Sequence, residues 1–366
     1  MGEPARRMPV AWTVVIAAAA VQAVVLTLGS NGYGYHRDEL YYRMLPPAWG
    51  YVDQPPLTPL LARATTHLAD EAWALRIPAT LAAALSVVVV ALICHQLGGG
   101  RGAQALAAWG YAFAAIPLAL GHVLLTSTVD LFLLSLLVLL VLRAATDGPR
   151  WWLPAGLVAG VASYNRLLVT VVVGGLVAGV ALLGPRSAFR SPWLWTGAGA
   201  GLLAALPNLL YQATNGWPQL EMGAALSANN ADDVRSQAPL LLLVMLGPPL
   251  VVVWVAGIVW LLRRERRRRV GFLVVGFGVL LAFTYGSGAQ PHYPVHLVSV
   301  MYAAGCVPVA RWLGARRVWR LVAVVLLAVN AAVSLVLALP LVPLDRVGAT
   351  TLPDTSPLVA DQVGWP

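Results

Sequence analysis

The chain has 366 residues, of which 59% are hydrophobic and only 11% are charged. Soluble domains carry roughly a quarter charged residues, so a soluble globular fold is excluded. The net charge of +9 comes from 24 basic residues, every one an arginine; their spread along the chain follows membrane topology and excludes a nucleic-acid-binding role.

The first apolar run, Val10–Leu28, is longer than the core of a signal peptide and predicts a retained transmembrane helix. A long polar loop, 29–73, follows, with an amphipathic piece around Thr58–Leu68. Spans are then expected at Ala74–Leu97, Ala103–Leu120 and Val129–Ala145. Two shorter segments, Trp151–Tyr164 and Leu167–Leu183, are broken at Tyr164-Asn165-Arg166. Trp193–Tyr211 precedes a second polar loop, 212–238. Pro239–Leu262 leads into the run RRERRRR (263–269), and Val270–Tyr285, Tyr293–Ala310 and Val318–Leu339 complete the set. The expected fold is an all-α polytopic membrane protein with about 11 crossings over 1–340, then a polar tail, 341–366. Cys94 and Cys306 fall in apolar runs and are read as small buried hydrophobes.

With the N-terminus cytoplasmic, 17 of 24 arginines fall on the cytoplasmic side, Arg6 and Arg7 among them, and 12 of 15 acids fall on the other. That separation is the positive-inside pattern. It puts both long loops and the C-terminus outside the cell membrane. The arginine run is a topology anchor facing anionic lipid. The glycines at 156–160 and 197–201 have the spacing of close helix packing in lipid.

The stretch Asn31–Leu61 concentrates polar and aromatic chemistry in a hydrocarbon-compatible chain. It holds Arg37, the acidic pair Asp38-Glu39, Tyr41, Gln54 and two Pro-Pro pairs. A carboxylate beside the bilayer invites a functional reading; the alternative is a solvated acid neutralised by Arg37. Asp130, in LLTSTVDLFLLSLL, is either a helix-capping residue or a second functional acid. Asp38 and Asp130 together could ligate a divalent ion such as Mg or Mn. Otherwise, one acid acts as base while the other positions the acceptor. Arg166 interrupts an apolar stretch, which is costly unless it faces an anion or snorkels to the interface. His292 and Tyr293, in QPHYPVH, could hydrogen-bond a phosphate or simply cap and anchor a helix. Trp217, in NGWPQ, and the run Asn229-Asn230-Ala231-Asp232-Asp233 offer groups for sugar hydroxyls or ordinary turn chemistry.

Five stretches carry a resemblance: GYHRDELYY (34–42), GYVDQPPLTPLLAR (50–63), TSTVDLFLLSLL (126–137), LPNLLYQATNGWPQLE (206–221) and PHYPVHL (291–297). In this order they resemble the GT-C superfamily of polytopic glycosyltransferases, closest to its protein O-mannosyltransferase-like and aminoarabinose-transferase-related branch. The resemblance implies a polyprenyl-phosphate sugar donor, Asp38 as base with Glu39 beside it, and Asp130 as the second acidic position. It places Arg166 where relatives often carry a phosphate-facing lysine, and His292 and Tyr293 in the phosphate-proximal loop. Gln54 stands where relatives often have a basic residue or histidine, so it could donate hydrogen bonds to the phosphate but no charge. Relatives commonly continue into a soluble outer domain, which the tail 341–366 would begin.

The expected activity is inverting transfer of a sugar from a polyprenyl-phosphate donor to an acceptor hydroxyl of a protein, lipid or cell-wall glycan at the outer membrane face. Its main rival is a multi-pass transporter or lipid flippase, marked by ionisable residues at mid-membrane depth. A non-catalytic assembly protein is a third reading.

Overall fold

A computed structural model describes residues 8–363. Arg6 and Arg7, expected on the cytoplasmic side, lie outside the described residues. Within them, the secondary structure is entirely helical.

Helix α1 (Trp12–Leu28) packs beside α5, reached through α2 (Arg37–Met44), α3 (Leu57–Thr66) and α4 (Ala72–Leu75). Helix α5 (Ile77–Gln96) turns into α6 (Arg101–Ala112) and α7 (Ala115–His122). Helix α8 (Thr126–Thr146) is buried at 15 of its 21 positions and packs against α5, α9 and α16. Then come α9 (Trp152–Ala162), α10 (Leu168–Leu182), α11 (Pro192–Thr214) and α12 (Pro218–Val244). Helices α13 (Pro248–Leu261), α14 (Arg264–Val270), α15 (Phe272–Ser287), α16 (Val295–Gly314) and α17 (Arg317–Ala338) follow. Three short helices end the chain: α18 (Leu344–Val347), α19 (Leu352–Thr355) and α20 (Pro357–Val363).

The surface is inside-out by the standards of water. In α17 the buried residues are Asn330, Ser334 and Ala338, while Leu321, Val324, Val325 and Val329 are exposed. Only a hydrocarbon solvent favours that arrangement, and the protein is a membrane protein. Small residues let the helix backbones meet. A Cβ on Gly156 would strike the backbone of Gly197, and one on Gly257 the backbone of Met301. These contacts join α9 to α11, as the glycine spacing at 156–160 and 197–201 predicts, and also α13 to α16. Cys94 and Cys306 are buried free thiols.

By length and composition, four stretches can each cross a membrane: Ala72–Gln96, α8, α16 and α17. Three bent pairs raise the number to seven: α6 with α7 at 53°, 231–244 with α13 at 90°, and α14 with α15 at 67°. Among the described residues this is four fewer than the eleven crossings expected; of those four, α1, α9 and α10, though apolar, have only 17, 11 and 15 residues, and the fourth is α11.

Two expected loops are helical. The segment 29–73 contains α2 over the acidic pair, and α3. The segment 212–238 is mostly α12, begun by Pro218 at its first turn. It holds six alanines and three glutamines, good helix formers, so its polarity conceals helix propensity. Helix α13 consequently begins at Pro248 instead of Pro239, after a break at Gly247, whose φ of +104° favours glycine.

One end of the bundle gathers arginines. Gln96 Nε2 donates to Thr146 Oγ1 at 2.7 Å, Arg269 Nη2 to the Thr146 carbonyl at 3.3 Å, and Arg311 Nη2 to the Gly98 carbonyl at 3.5 Å. The opposite end gathers Asp38, Asp130, Arg166 and His292.

Candidate active site

His36 caps α2. Its Nδ1 accepts from the Asp38 backbone N–H at 3.1 Å, and Glu39 Oε2 accepts from the His36 N–H at 2.8 Å, a reciprocal capping box. Glu39 is fully buried. Its Oε1 also accepts from Arg76 Nε at 3.0 Å and the Leu124 N–H at 2.9 Å, and its Oε2 from Arg76 Nη2 at 2.8 Å. Arg76 further donates to the carbonyls of Ser30 at 2.6 Å and Gly34 at 2.7 Å. The expected catalytic role for Glu39 is therefore corrected. Its two oxygens are saturated, and its work is to weld α2 to the loops before and after it.

Asp38 is different. About 38% of its side chain is exposed, and its ion-pair partner is the neighbouring Arg37, at 3.2 Å. Arg37 Nη1 also meets Asp361 Oδ1 of α20 at 3.4 Å. Tyr41 donates its hydroxyl to Asp53 Oδ1 at 3.0 Å. Burial, then the charge of Asp53, pushes the Tyr41 phenol up to about 12, so Tyr41 is no base at neutral pH.

Asp130 lies inside α8, past its first turn, and is not the cap. Thr128 Oγ1 accepts from the Leu125 N–H at 3.2 Å and serves that end. Asp130 is buried; its Oδ1 accepts from Asn165 Nδ2 at 2.7 Å, and its Oδ2 lies 3.8 Å from Arg166 Nε. Asn165 also donates to the Thr126 carbonyl at 2.7 Å and accepts from Thr58 Oγ1 at 2.6 Å. The break between α9 and α10 is thereby tied to α8 and to the DQPPLT segment.

Arg166 sits at that break. Its guanidinium donates to Ser127 Oγ at 3.1 Å and to Thr126 Oγ1, and stacks over the Tyr293 ring at 4.6 Å. Burial opposes its charge, but Tyr293, Asp130, Tyr42 and Asp38 outweigh that and stabilise the cation. Asp38 thus shares an electrostatic field with Asp130 and Arg166 although it comes from a separate helix. Ser127 Oγ also meets His292 Nε2 at 2.8 Å, and His292 packs edge-on against Tyr293. Asp130, Arg166, His292 and Tyr293 form one cluster, at the end of the bundle that also carries Asp38. Gln54 is buried with its Nε2 unpartnered among the described residues, and Trp217 is 41% exposed. Neither shares a hydrogen bond with that cluster.

The residues present do not fit the expected divalent ion. Among the described residues no three His, Cys, Asp or Glu side chains converge on a point. Asp130 already faces two donors, Asn165 and the cationic Arg166, which repel a metal from its oxygens.

Burial, then the charge of Arg166, lowers the His292 pKa to about 3. An unfolded histidine titrates near 6.5. Between those values the unfolded chain takes a proton that the folded chain refuses, so His292 lowers stability as pH falls from about 6.5 toward 3. His292→Asn is expected to flatten the acid dependence of unfolding between pH 6.5 and 5 by about 1 kcal/mol per pH unit. Unfolding midpoints of both proteins across that range check this; parallel curves refute it.

Sequence reasoning missed Arg76, Thr126, Ser127 and Asn165. Their roles depend on partners that no local spacing reveals.

Residues 53–211, under half of the chain, match the family described as dolichyl-phosphate-mannose-protein mannosyltransferase. Two solved structures of ArnT from Cupriavidus metallidurans are similar. The apo form has a TM-score of 0.63 at 16% identity, over 84% of this chain and 61% of that one. The form bound to undecaprenyl phosphate has a TM-score of 0.64 at 16% identity, over 82% and 60%. The chain therefore shares the fold of these structures. The mycobacterial arabinofuranosyltransferase AftD is similar at a TM-score of 0.53 and 15% identity, over 91% of this chain and 27% of AftD. The chain thus spans about three fifths of the length of the ArnT structures. No curated protein sequence matches it.

Proposed function

We propose that the protein is a cell-membrane glycosyltransferase that moves a sugar from a polyprenyl-phosphate donor to an acceptor hydroxyl, with inversion. The observation that carries this is the Arg166 cation, held by Asp130, Ser127, Thr126 and Tyr293 at the end of the bundle that also carries the accessible carboxylate of Asp38. Arg166 binds the donor phosphate and stabilises the charge that gathers on it as the glycosidic bond breaks. The Ser127 hydroxyl and the neutral His292 imidazole orient that guanidinium. Asp38 takes the proton of the acceptor hydroxyl, whose oxygen attacks the anomeric carbon from the face opposite the leaving phosphate. The arginine-rich end faces the cytoplasm and the site end faces outward. A transporter or flippase is disfavoured because the acids gather at one end of the bundle.

The first test is binding of undecaprenyl phosphate. Arg166→Ala is expected to weaken it about tenfold to a hundredfold, the range of a charge-assisted contact, with Arg166→Lys intermediate. Equal affinity in wild type and Arg166→Ala removes the phosphate from this site.

A further inference from the structure

The corner between α11 and α12 holds chemistry that the phosphate reading leaves unused. Asn208 and Gln212 lie one turn apart on α11, and neither has exposed surface. Asn208 Nδ2 donates to the Ser163 carbonyl at 2.8 Å, but its Oδ1 has no partner among the described residues. Gln212 Oε1 accepts the backbone N–H of Gln219 at 3.3 Å, but its Nε2 is unpartnered, as is Gln219 Nε2. Gln54 Nε2 is in the same condition. Buried polar groups are nearly always paired, and each orphan costs stability. Four unpaired amide atoms from one neighbourhood therefore point to a ligand.

The neighbourhood is continuous. A Cβ on Gly50 would run into the Tyr211 ring, next to Gln212, and the Leu57 N–H donates to the Tyr164 carbonyl at 2.8 Å. The segment carrying Gln54 is thus held between α11 and the break that carries Arg166. Trp217 adds a second observation. Its backbone sits at φ +60°, ψ +53°, and its N–H donates to the Gln212 carbonyl at 2.7 Å. A bulky residue in the left-handed region is strained. Here that conformation holds Trp217, 41% exposed, one backbone hydrogen bond from Gln212.

We infer that Gln54, Asn208, Gln212, Gln219 and Trp217 form a subsite for a neutral sugar, the glycosyl group of the donor. This rests on the phosphate reading of Arg166. Amide groups both donate to and accept from hydroxyls, and an indole face stacks on a pyranose or furanose ring. The ligand is uncharged because the side-chain hydrogen bonds that Asn208 and Gln212 make among the described residues go to backbone groups. An ammonium group would meet no carboxylate partnered to them.

The test titrates the purified full chain in nanodiscs with three probes. They are undecaprenyl phosphate, a panel of undecaprenyl-phosphate hexoses and pentoses, and the same lipid carrying an amino sugar. For wild type, the best neutral sugar is expected to raise affinity about tenfold over the bare lipid. Gln212→Met, which keeps size and loses the amide, removes most of that gain and leaves bare-lipid affinity within about twofold. Trp217→Gly, which relaxes the backbone and deletes the ring, behaves alike. The unchanged bare-lipid affinity shows that the variants fold. Tightest binding of the amino-sugar lipid overturns the inference, as does equal weakening of all probes. Absence of bare-lipid binding in wild type overturns the phosphate reading beneath it.

Discussion

Asp38→Asn abolishes sugar transfer while the protein still folds and binds undecaprenyl phosphate. The expected fall in kcat/KM is about a thousandfold, within the range for losing a general base. The reason is accessibility among the three candidate acids. Glu39 spends both oxygens on Arg76, Leu124 and His36. Asp130 is buried against Asn165 and Arg166. Asp38 alone of the three keeps exposed carboxylate within the field of Arg166. Steady-state transfer from a radiolabelled undecaprenyl-phosphate sugar into membrane acceptors measures the effect. Wild-type turnover in Asp38→Asn would move the base elsewhere.

The second large effect falls on stability. Glu39→Gln breaks a two-point ion pair between a fully buried carboxylate and an arginine that is 1% exposed. Removing one partner of such a pair costs about 3–5 kcal/mol, because the other charge stays buried without compensation. Glutamine keeps a single acceptor oxygen, so either the Leu124 N–H or the His36 N–H that closes the α2 cap also loses its partner. Thermal unfolding in detergent should show a fall of that order, and an unchanged midpoint would refute the weld. Glu39→Leu with Arg76→Met should recover only part of the loss. Arg76 also satisfies the carbonyls of Ser30 and Gly34, which methionine cannot do.

How much of this could be read from the chain depends on contrast. Arg166 and Asp130 stand against apolar neighbours, where any charge is expensive, and both reach the site. The loop 31–61 was equally visible as dense polarity. The separate fates of Asp38 and Glu39 were not, since they are adjacent and chemically alike. What divides them is Arg76, 37 residues away from Glu39 in sequence. Helix α12 was hidden by its own polarity, which resembles a loop although its propensity is helical. Asn208 and Gln212 were hidden in the opposite way, as two amides inside an apolar helix with no charge to mark them. The arginine end was legible because its signal is a sum over many residues and needs no particular contact.

The break between α12 and α13 bears on how the outer surface behaves. At this corner the Ile116 N–H donates to the Met245 carbonyl at 2.8 Å, and Asn330 Nδ2 donates to the Leu246 carbonyl at 3.1 Å. Where water is excluded, freeing either carbonyl costs several kcal/mol. Straightening the 90° corner would forfeit both bonds together. The corner is therefore a bracket and not a hinge, and the 231–244 part of α12 is held at right angles to α13. Opening falls more easily on the short segments around α2 and α20, where exposed ion pairs part at little cost.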